Sequence, residues 1–281
     1  SRTLHTAFTF LIIGIALKLA MFPLHLWLPN AYTYAPSIVT IFLAATATKV
    51  SVYVLLRFIY TVFGQQFSFG TMRLSAVLLP LAVLGIFVAS LVAIYQSDVK
   101  RLLAYSSIGQ MGYALFGLAM MNHLGWLMAL MFVINHYIYK SMLFLSVGGI
   151  AKRTGTRAMY RMGGLITLMP LSFIAVLIGI IAMSGVPPLS GFGVRWIFYN
   201  AIMTADYKLP MVLIFLSGPI AFLYLFRLIH SIFLGQLKEK RFDLLHNGLS
   251  TRSVIIIERR DFTPFRFIQN VEYGFFLLIV Q

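Results

Sequence analysis

The chain has 281 residues, of which 60% are hydrophobic and 10% are charged. Soluble globular domains are about 45–50% apolar and about 25% charged, so this composition excludes a water-soluble enzyme, a disordered protein and a secreted disulfide scaffold. Lys and Arg number 22 against 7 Asp and Glu, but the basic residues lie in short loops or singly inside apolar runs, which favours the positive-inside rule over nucleic-acid binding. There is no cysteine, which excludes disulfides, thiolate chemistry and cysteine-held iron–sulfur or haem groups.

Apolar runs recur along the chain, each long enough to cross a bilayer, for which a helix needs about 20 residues. They predict one all-α, polytopic bundle with seven membrane spans, at residues 4–28, 35–60, 75–95, 100–121, 124–150, 164–204 and 210–235. A last apolar stretch at 265–280 is short for a span, and re-entrant, interfacial and disordered structures are all compatible with it.

Two of these spans are interrupted by proline and glycine. The span at 164–204 is too long for one helix, and the string GVPP that begins at Gly185, followed by Gly191, divides it into two half-helices. The first span has a similar interruption at Pro23 and Pro29. Paired breaks in distant spans are typical of transporter bundles, whose working sites lie at the breaks.

Basic residues lie near the middle of several apolar spans. They are Lys18, Lys49, His136 with Lys140, and Arg195 just after the second break. Lys49 would lie roughly 15 Å from either end of its helix, and a lysine stem of about 6 Å cannot reach the interface from there. A charge at that depth costs from ~2.5 to more than ~10 kcal/mol. We therefore expect these side chains to face a shared polar interior.

Such side chains are suited to moving protons. A lysine shielded from water can exchange protons near neutral pH, and histidine titrates there unaided. His136 and Lys140 are spaced i, i+4 and therefore share one helix face, while His25 lies beside the first break. The Arg195 guanidinium stays charged, so it can influence its neighbours but cannot itself relay a proton. Hydroxyl and amide side chains around Lys49 and His136 can hold ordered water.

Each of these residues also has a purely structural interpretation. A buried lysine can bond a backbone carbonyl of a broken helix, and His136 can be a packing histidine. Asp98 is expected to cap the helix that follows it, with Lys100 and Arg101 as interfacial charges.

Five strings resemble a known family. They are LKLAMFPLHLWLPNAYTYAPS at 17–37, TKVSVYVLLRF at 48–58, QSDVKRLLAYSSIGQMGY at 96–113, NHYIYKSMLFLSVGG at 135–149 and GVPPLSGFGVRW at 185–196. In order and spacing they closely resemble the antiporter-like subunits shared by respiratory complex I and the multisubunit sodium/proton (Mrp) antiporters, over about residues 4–235. The strings do not decide between complex I, Mrp and related hydrogenase-type complexes.

The resemblance implies a fold with two inverted five-helix repeats, each with one broken helix. Residues 1–62 would be the end of the first repeat, broken at about 20–29. Residues 63–243 would be the second repeat, broken at about 185–191, and the tail 244–281 stays unassigned. The N-terminal helices of the family would then be missing from this chain.

By the same resemblance, Lys18 falls on the lysine of the first broken helix and Lys49 on that of the following helix. His136 and Lys140 fall on the central relay, and Arg195 on the ionisable position after the second break, which is usually lysine or glutamate. The family lysine at Lys18 pairs with a glutamate on an earlier helix, which this chain lacks. We therefore expect a fragment, a misplaced gene start, or an acid supplied by a neighbouring subunit.

The implied function is a proton-translocating, multi-pass subunit in the inner cell membrane, part of a complex I-type NADH-quinone oxidoreductase or an Mrp-type Na+/H+ antiporter. Its relay would comprise Lys18, Lys49, His136, Lys140, Arg195 and His25. Its partners would be homologous antiporter-like subunits, other membrane subunits, the lipid bilayer, and protons or sodium, with no nucleic acid. No cofactor, metal or redox centre is expected in this chain.

Two alternatives stay open at this point. One is an assembly or scaffold subunit of the same complex, with transport lost by truncation. The other is a retinal-type photoreceptor with a Schiff-base lysine, which is disfavoured because no span offers a carboxylate counter-ion.

Overall fold

A computed structural model describes residues 2–205 and 208–235, without the side chains of 208 and 209, and all regular elements within these residues are helical. The unassigned tail 244–281, including the apolar stretch 265–280, lies outside the described residues. The nine α-helices of the described part are α1 Arg2–Leu19, α2 Trp27–Tyr34, α3 Ser37–Arg57, α4 Leu74–Ile94, α5 Val99–Ala119, α6 His123–Thr154, α7 Pro170–Ser184, α8 Ser190–Thr204 and α9 Lys208–Phe233. Short π-helical turns at Phe58–Val62 and Gln66–Thr71 follow α3, and a 3₁₀ turn at Met159–Arg161 follows α6.

Within the described residues, five helices are long and apolar enough to cross a membrane. These stretches are Arg2–Leu19, Ser37–Val62, Leu74–Ile94, His123–Thr154 and Pro210–Phe233. The predicted span at 100–121 is also a helix, α5, but it is the central helix of the bundle, because every residue from Leu102 to Ala119 is buried.

Small residues let α5 pack closely against its neighbour α4. A Cβ on Gly112 would lie 2.8 Å from a side-chain carbon of Ile86 and 3.0 Å from the Ala82 carbonyl oxygen. Glycine at such a position brings two helix backbones close together, which is how helices associate where no hydrophobic effect drives them.

The structure confirms both predicted helix breaks and corrects their limits. The chain leaves helical geometry between Leu19 and Trp27, and again between Ser184 and Ser190. Pro29, which the sequence placed at the first break, instead lies in the first turn of α2, where the missing N–H of proline costs nothing.

One end of the bundle is organised around the start of α5. As expected, Asp98 caps this helix, accepting hydrogen bonds from the backbone N–H groups of Lys100 and Arg101 at 2.8 and 3.2 Å. Asp98 also pairs with Arg157 at 3.5 Å. The Lys100 side chain is buried rather than interfacial, and its ammonium donates to the Ala35 carbonyl at 3.2 Å, at the C-terminal end of α2.

Candidate functional site

Three titratable basic side chains interact inside the bundle. Lys49 lies on α3, and His136 and Lys140 lie one turn apart on α6. Their exposed fractions are 8%, 0% and 0%. Lys49 interacts electrostatically with His136 and with Lys140, and Lys140 interacts with His136. The packing of α3 against α6 therefore brings together three of the six residues that the sequence singles out.

The Lys140 ammonium is held by α5. It donates to the Leu103 carbonyl at 2.9 Å and to the Ser106 hydroxyl at 2.5 Å. The hydroxyls of Ser106 and Ser107 donate to the same carbonyl, at 2.8 and 3.0 Å. One carbonyl of an unbroken helix thus collects three side-chain donors, an arrangement that depends on tertiary contacts and has no signal in the sequence.

Lys49 and His136 are bonded less completely. Lys49 donates to the Ala44 carbonyl of its own helix. The His136 ring lies edge-on to Tyr139, with ring centroids 5.4 Å apart, and neither of its nitrogens has a hydrogen-bond partner among the described residues. The buried Thr48 hydroxyl has none there either. Because buried polar atoms nearly always have a partner, these atoms mark positions suited to bound water.

Arg195 fills the second break. Its guanidinium is buried, donates to the Met183 carbonyl at 3.3 Å and lies 5.0 Å from the centre of the Tyr113 ring. Gly185 has a φ of 71°, and a Cβ there would lie 2.1 Å from Cδ of Arg195, so only glycine leaves room for this side chain. The cation thereby offsets the partial negative charge of the carbonyls at the end of α7.

Polar side chains continue from His136 toward this break. The Tyr139 hydroxyl donates to the Gln110 side chain at 3.2 Å. A cavity with ≈ 10 Å³ of room for water, about enough for one molecule, lies between Gln110, Asn135, Tyr139 and Arg195. At an exposed edge of this region the Ser190 hydroxyl donates to the Asn135 side chain at 2.5 Å.

The first break holds the two remaining predicted residues. Lys18 lies in the last turn of α1 rather than in mid-helix, is partly exposed, and makes no side-chain hydrogen bond within 2–205 and 208–235. His25 is buried, and its Nδ1 has no partner in that same part of the chain. The Trp27 indole closes the break by donating to the Leu17 carbonyl at 2.8 Å. The described contacts therefore do not extend the central group to Lys18 or His25.

Acidic side chains are scarce in the part of the chain that the structure describes. Asp98 is the single acidic residue there, and it lies before the first turn of α5 rather than inside a helix. The same residues include no group of three His, Asp or Glu side chains placed to hold a metal ion.

Comparison with known proteins assigns the chain to a family. Residues 1–220 match the family described as NADH:quinone oxidoreductase/Mrp antiporter, transmembrane. The chain is 36% identical over 233 residues to the N subunit of the NADH-quinone oxidoreductase of Desulforudis audaxviator, covering 83% of this chain and 46% of that protein. It is 34% identical over 238 residues to the A/B subunit of a probable K(+)/H(+) antiporter of Rhizobium meliloti, covering 82% of this chain and 23% of that protein. The chain thus spans less than half of the length of both relatives.

Solved structures agree with this assignment. The Mrp complex from Dietzia sp. DQ12-45-1b contains a chain that matches with a TM-score of 0.79 and 25% identity, over 84% of this chain and 43% of that one. An archaeal membrane-bound sulfane sulfur reductase matches with a TM-score of 0.71 and 26% identity, over 95% of this chain and 52% of that one. These matches confirm the predicted all-α bundle with discontinuous helices. The chain belongs to the NADH:quinone oxidoreductase/Mrp antiporter transmembrane family and is a multi-pass membrane protein.

Proposed function

We propose that this chain is the proton-translocating part of an antiporter-like subunit, within a complex I-type NADH-quinone oxidoreductase or an Mrp-type Na+/H+ antiporter. The proposal rests on one observation, the buried group of Lys49, His136 and Lys140, whose side chains interact inside a membrane-spanning bundle. Basic groups are expensive at that depth, and packing helices together does not require three of them. Proton transfer is the chemistry that such a group supplies.

Repulsion between the three side chains gives the group its relay property. Two unit charges 4 Å apart repel by about 4 kcal/mol at an effective dielectric constant of about 20. The group is therefore most stable with fewer than three bound protons. When a proton binds to one member, the added repulsion favours release of a proton from another. Positive charge can therefore move parallel to the membrane plane while each side chain stays in its place.

Differences in bonding assign each member a role. The two bonds from Lys140 to α5 fix its ammonium in one place. His136 has two ring nitrogens without protein partners in the described part, so with water beside it the ring can take a proton at one nitrogen and give one from the other. Lys49 has one described carbonyl partner and interacts with both, and we assign it to the start of the proposed relay.

Arg195 has a positioning role in this proposal. Its guanidinium remains protonated, so it supplies a fixed positive charge beside the cavity at Gln110 and Tyr139 while protons pass through water rather than through Arg195 itself. Lys18 and His25 are proposed to carry protons at the first break. Asp98, the one acidic side chain among the described residues, pairs with Arg157, so we propose that the acid which pairs with Lys18 lies outside the described residues.

We further propose that the partners are homologous antiporter-like subunits and other membrane subunits, with protons as the transported ion and sodium as a second ion. In support, the relatives are named as subunits of oxidoreductases or antiporters, and among them is the A1 subunit of the Na(+)/H(+) antiporter of Staphylococcus aureus, 31% identical over 260 residues. A scaffold role without transport is the second candidate. It is favoured by the absence of a partner for Lys18 among the described residues.

Replacing Lys49 by methionine separates the two candidates. Lys49→Met keeps a side chain of similar length and removes the charge. In the complete complex reconstituted into proteoliposomes, proton pumping or sodium/proton exchange should fall at least about tenfold, since a relay site contributes on that order or more. The matched control is Lys152→Met, an exposed residue in the last turn of α6 that takes no part in the group. Undiminished transport by an assembled Lys49→Met complex would contradict the relay and favour the scaffold.

A further inference from the structure

A cleft of ≈ 620 Å³ lies between α3 and α6, and none of the relay residues lines it. It lies where the C-terminal end of α3 meets the N-terminal end of α6, and its basic lining residues, Arg57 and His123, are exposed and define its mouth. The two helices run antiparallel, because Gly148 near the other end of α6 faces Ser37 at the start of α3. The cleft therefore lies at the opposite end of these helices, and it has the size of a small-molecule site.

The walls of this cleft, named here the Arg57 cleft, are mainly apolar and aromatic, with Thr61, Gln65 and Asn122 as their uncharged polar residues. Tyr53 and Trp126 line it and are 61% and 39% exposed, while Leu56 and Leu130 form part of its floor. Tyrosine and tryptophan concentrate where membrane helices reach the headgroup region, because their rings are amphipathic. The composition of the walls therefore matches a site that contacts acyl chains below and headgroups above.

Charge complementarity identifies the class of molecule at the mouth. Arg57 is exposed, and the part of the chain that the structure describes offers it no acidic side chain, since the one acid there, Asp98, pairs with Arg157 at the other end of the bundle. Over the whole sequence, basic residues outnumber acidic ones by 22 to 7. No carboxylate of the described residues therefore neutralises Arg57, and an anion bound at the cleft would do so.

We propose that the Arg57 cleft binds one anionic phospholipid. The phosphate would lie against Arg57, whose planar guanidinium suits two phosphate oxygens, with His123 as a second donor. The acyl chains would lie along Tyr53, Leu56 and Trp126. A soluble anion would use the mouth alone and leave the apolar walls open, so the continuity of a basic mouth with an apolar floor favours a lipid.

Photo-crosslinking tests the proposal in the intact complex. Membranes containing the complex are supplemented with phosphatidylglycerol or phosphatidylcholine that carries a diazirine in one acyl chain, and labelled peptides of this chain are mapped after irradiation. In the wild type we expect the anionic lipid to label the segments 53–60 and 121–130 about fivefold more than the neutral lipid, the preference that one basic side chain near the surface provides. Arg57→Gln should reduce labelling by the anionic lipid to the level of the neutral one, and Arg57→Lys should retain most of the preference.

The control variant is Arg73→Asn. Arg73 is exposed outside the cleft and has a φ of 48°, which asparagine tolerates, so this variant removes a charge without straining the chain. It should label as the wild type does. Equal labelling by the two lipids in the wild type would overturn the proposal, as would an Arg57→Gln variant that keeps the preference. Absence of label from both lipids would show that protein covers the cleft, which also overturns it. Labelling does not depend on proton transport, so this outcome and that of the Lys49 experiment are independent.

Discussion

The two helix breaks meet the same physical problem in different ways. At each break a helix ends inside the bundle and leaves backbone carbonyls without helical partners. After α7, the carbonyl of Met183 accepts from Arg195, a buried and permanent cation. After α1, the carbonyl of Leu17 accepts from the backbone N–H of Ala20 and from the uncharged indole of Trp27, and the neighbouring Lys18 has no described partner.

This difference separates a fixed charge from exchangeable ones. The second break keeps the same charge at every pH at which the protein functions, because guanidinium does not titrate. The first break is closed by a neutral donor, so the bond that holds the loop involves neither Lys18 nor His25. In the proposed relay, proton exchange is assigned to the first break, while the second supplies a constant field.

The largest effect on stability is expected from Gly191 at the second break. A Cβ on Gly191 would lie 1.8 Å from the Ala182 carbonyl oxygen, so α8 could not keep its place against α7. Gly191→Ala should lower the free energy of unfolding by about 3 kcal/mol, the upper range for overpacking. The apparent melting temperature of the solubilised complex measures this loss.

The matched control lies two residues further along the same helix. A Cβ on Gly193 meets nothing within 4 Å. Gly193→Ala should therefore keep the melting temperature or raise it, since alanine in a helix is favoured over glycine by roughly 0.5–1 kcal/mol. Equal melting temperatures for the two variants would show that this close contact does not hold the second break.

Replacing Arg195 is expected to change the free energy of unfolding less than replacing Gly191 does, and to reduce proton transport. Arg195→Met removes the bond to Met183 and the contact with the Tyr113 ring, but it also removes a buried charge that has no acidic partner in the described residues. Such exchanges are often close to neutral, so the free energy of unfolding should change by no more than about 1 kcal/mol. Proton transport in proteoliposomes should fall about tenfold, because in the proposal this charge acts on protons in the cavity beside Gln110 and Tyr139, and a unit charge a few ångströms away changes such energies by about one to several kcal/mol.

Arg195→Lys distinguishes the two effects of this residue. Lysine keeps the positive charge but loses the planar fork that fits beside Gly185, so it should recover part of the transport. If Arg195→Met instead unfolds early with transport intact, the cation is structural and the contrast between the two breaks concerns folding alone.

The sequence predicts the helices and both breaks because their signals are local. Apolar runs set the spans, and proline or glycine in a long run marks a break. Pro29 was assigned wrongly because proline at a break and proline in a first helical turn look alike in sequence. The capping role of Asp98 was correct because a cap depends only on the next three residues.

Long-range contacts could not be predicted in this way. The Leu103 carbonyl that binds Lys140 is a backbone atom without a sequence signature, and the pairing of Arg195 with Tyr113 depends on how α8 packs against α5. Tyr113 stands three residues after Gln110 and therefore on the same helix face, which is the one local signal that links it to the polar interior. Spacing placed His136 and Lys140 on one face, but only the packing of α3 against α6 adds Lys49 to them.

The smallest effect is expected at the first break. Trp27→Phe removes the indole N–H that donates to the Leu17 carbonyl and leaves the aromatic ring in place, which should cost about 1 kcal/mol in the free energy of unfolding. Trp196→Phe is the control, since that ring is 59% exposed and makes no hydrogen bond within the part of the chain that the structure describes. Thermal unfolding of the two variants in the same detergent gives the comparison. If Trp27→Phe and Trp196→Phe have the same melting temperature, the indole bond does not hold the first break. The side chains of Lys18 and His25 must then be considered as its support. In that case the two breaks no longer differ in whether the residues that hold them are those proposed to exchange protons.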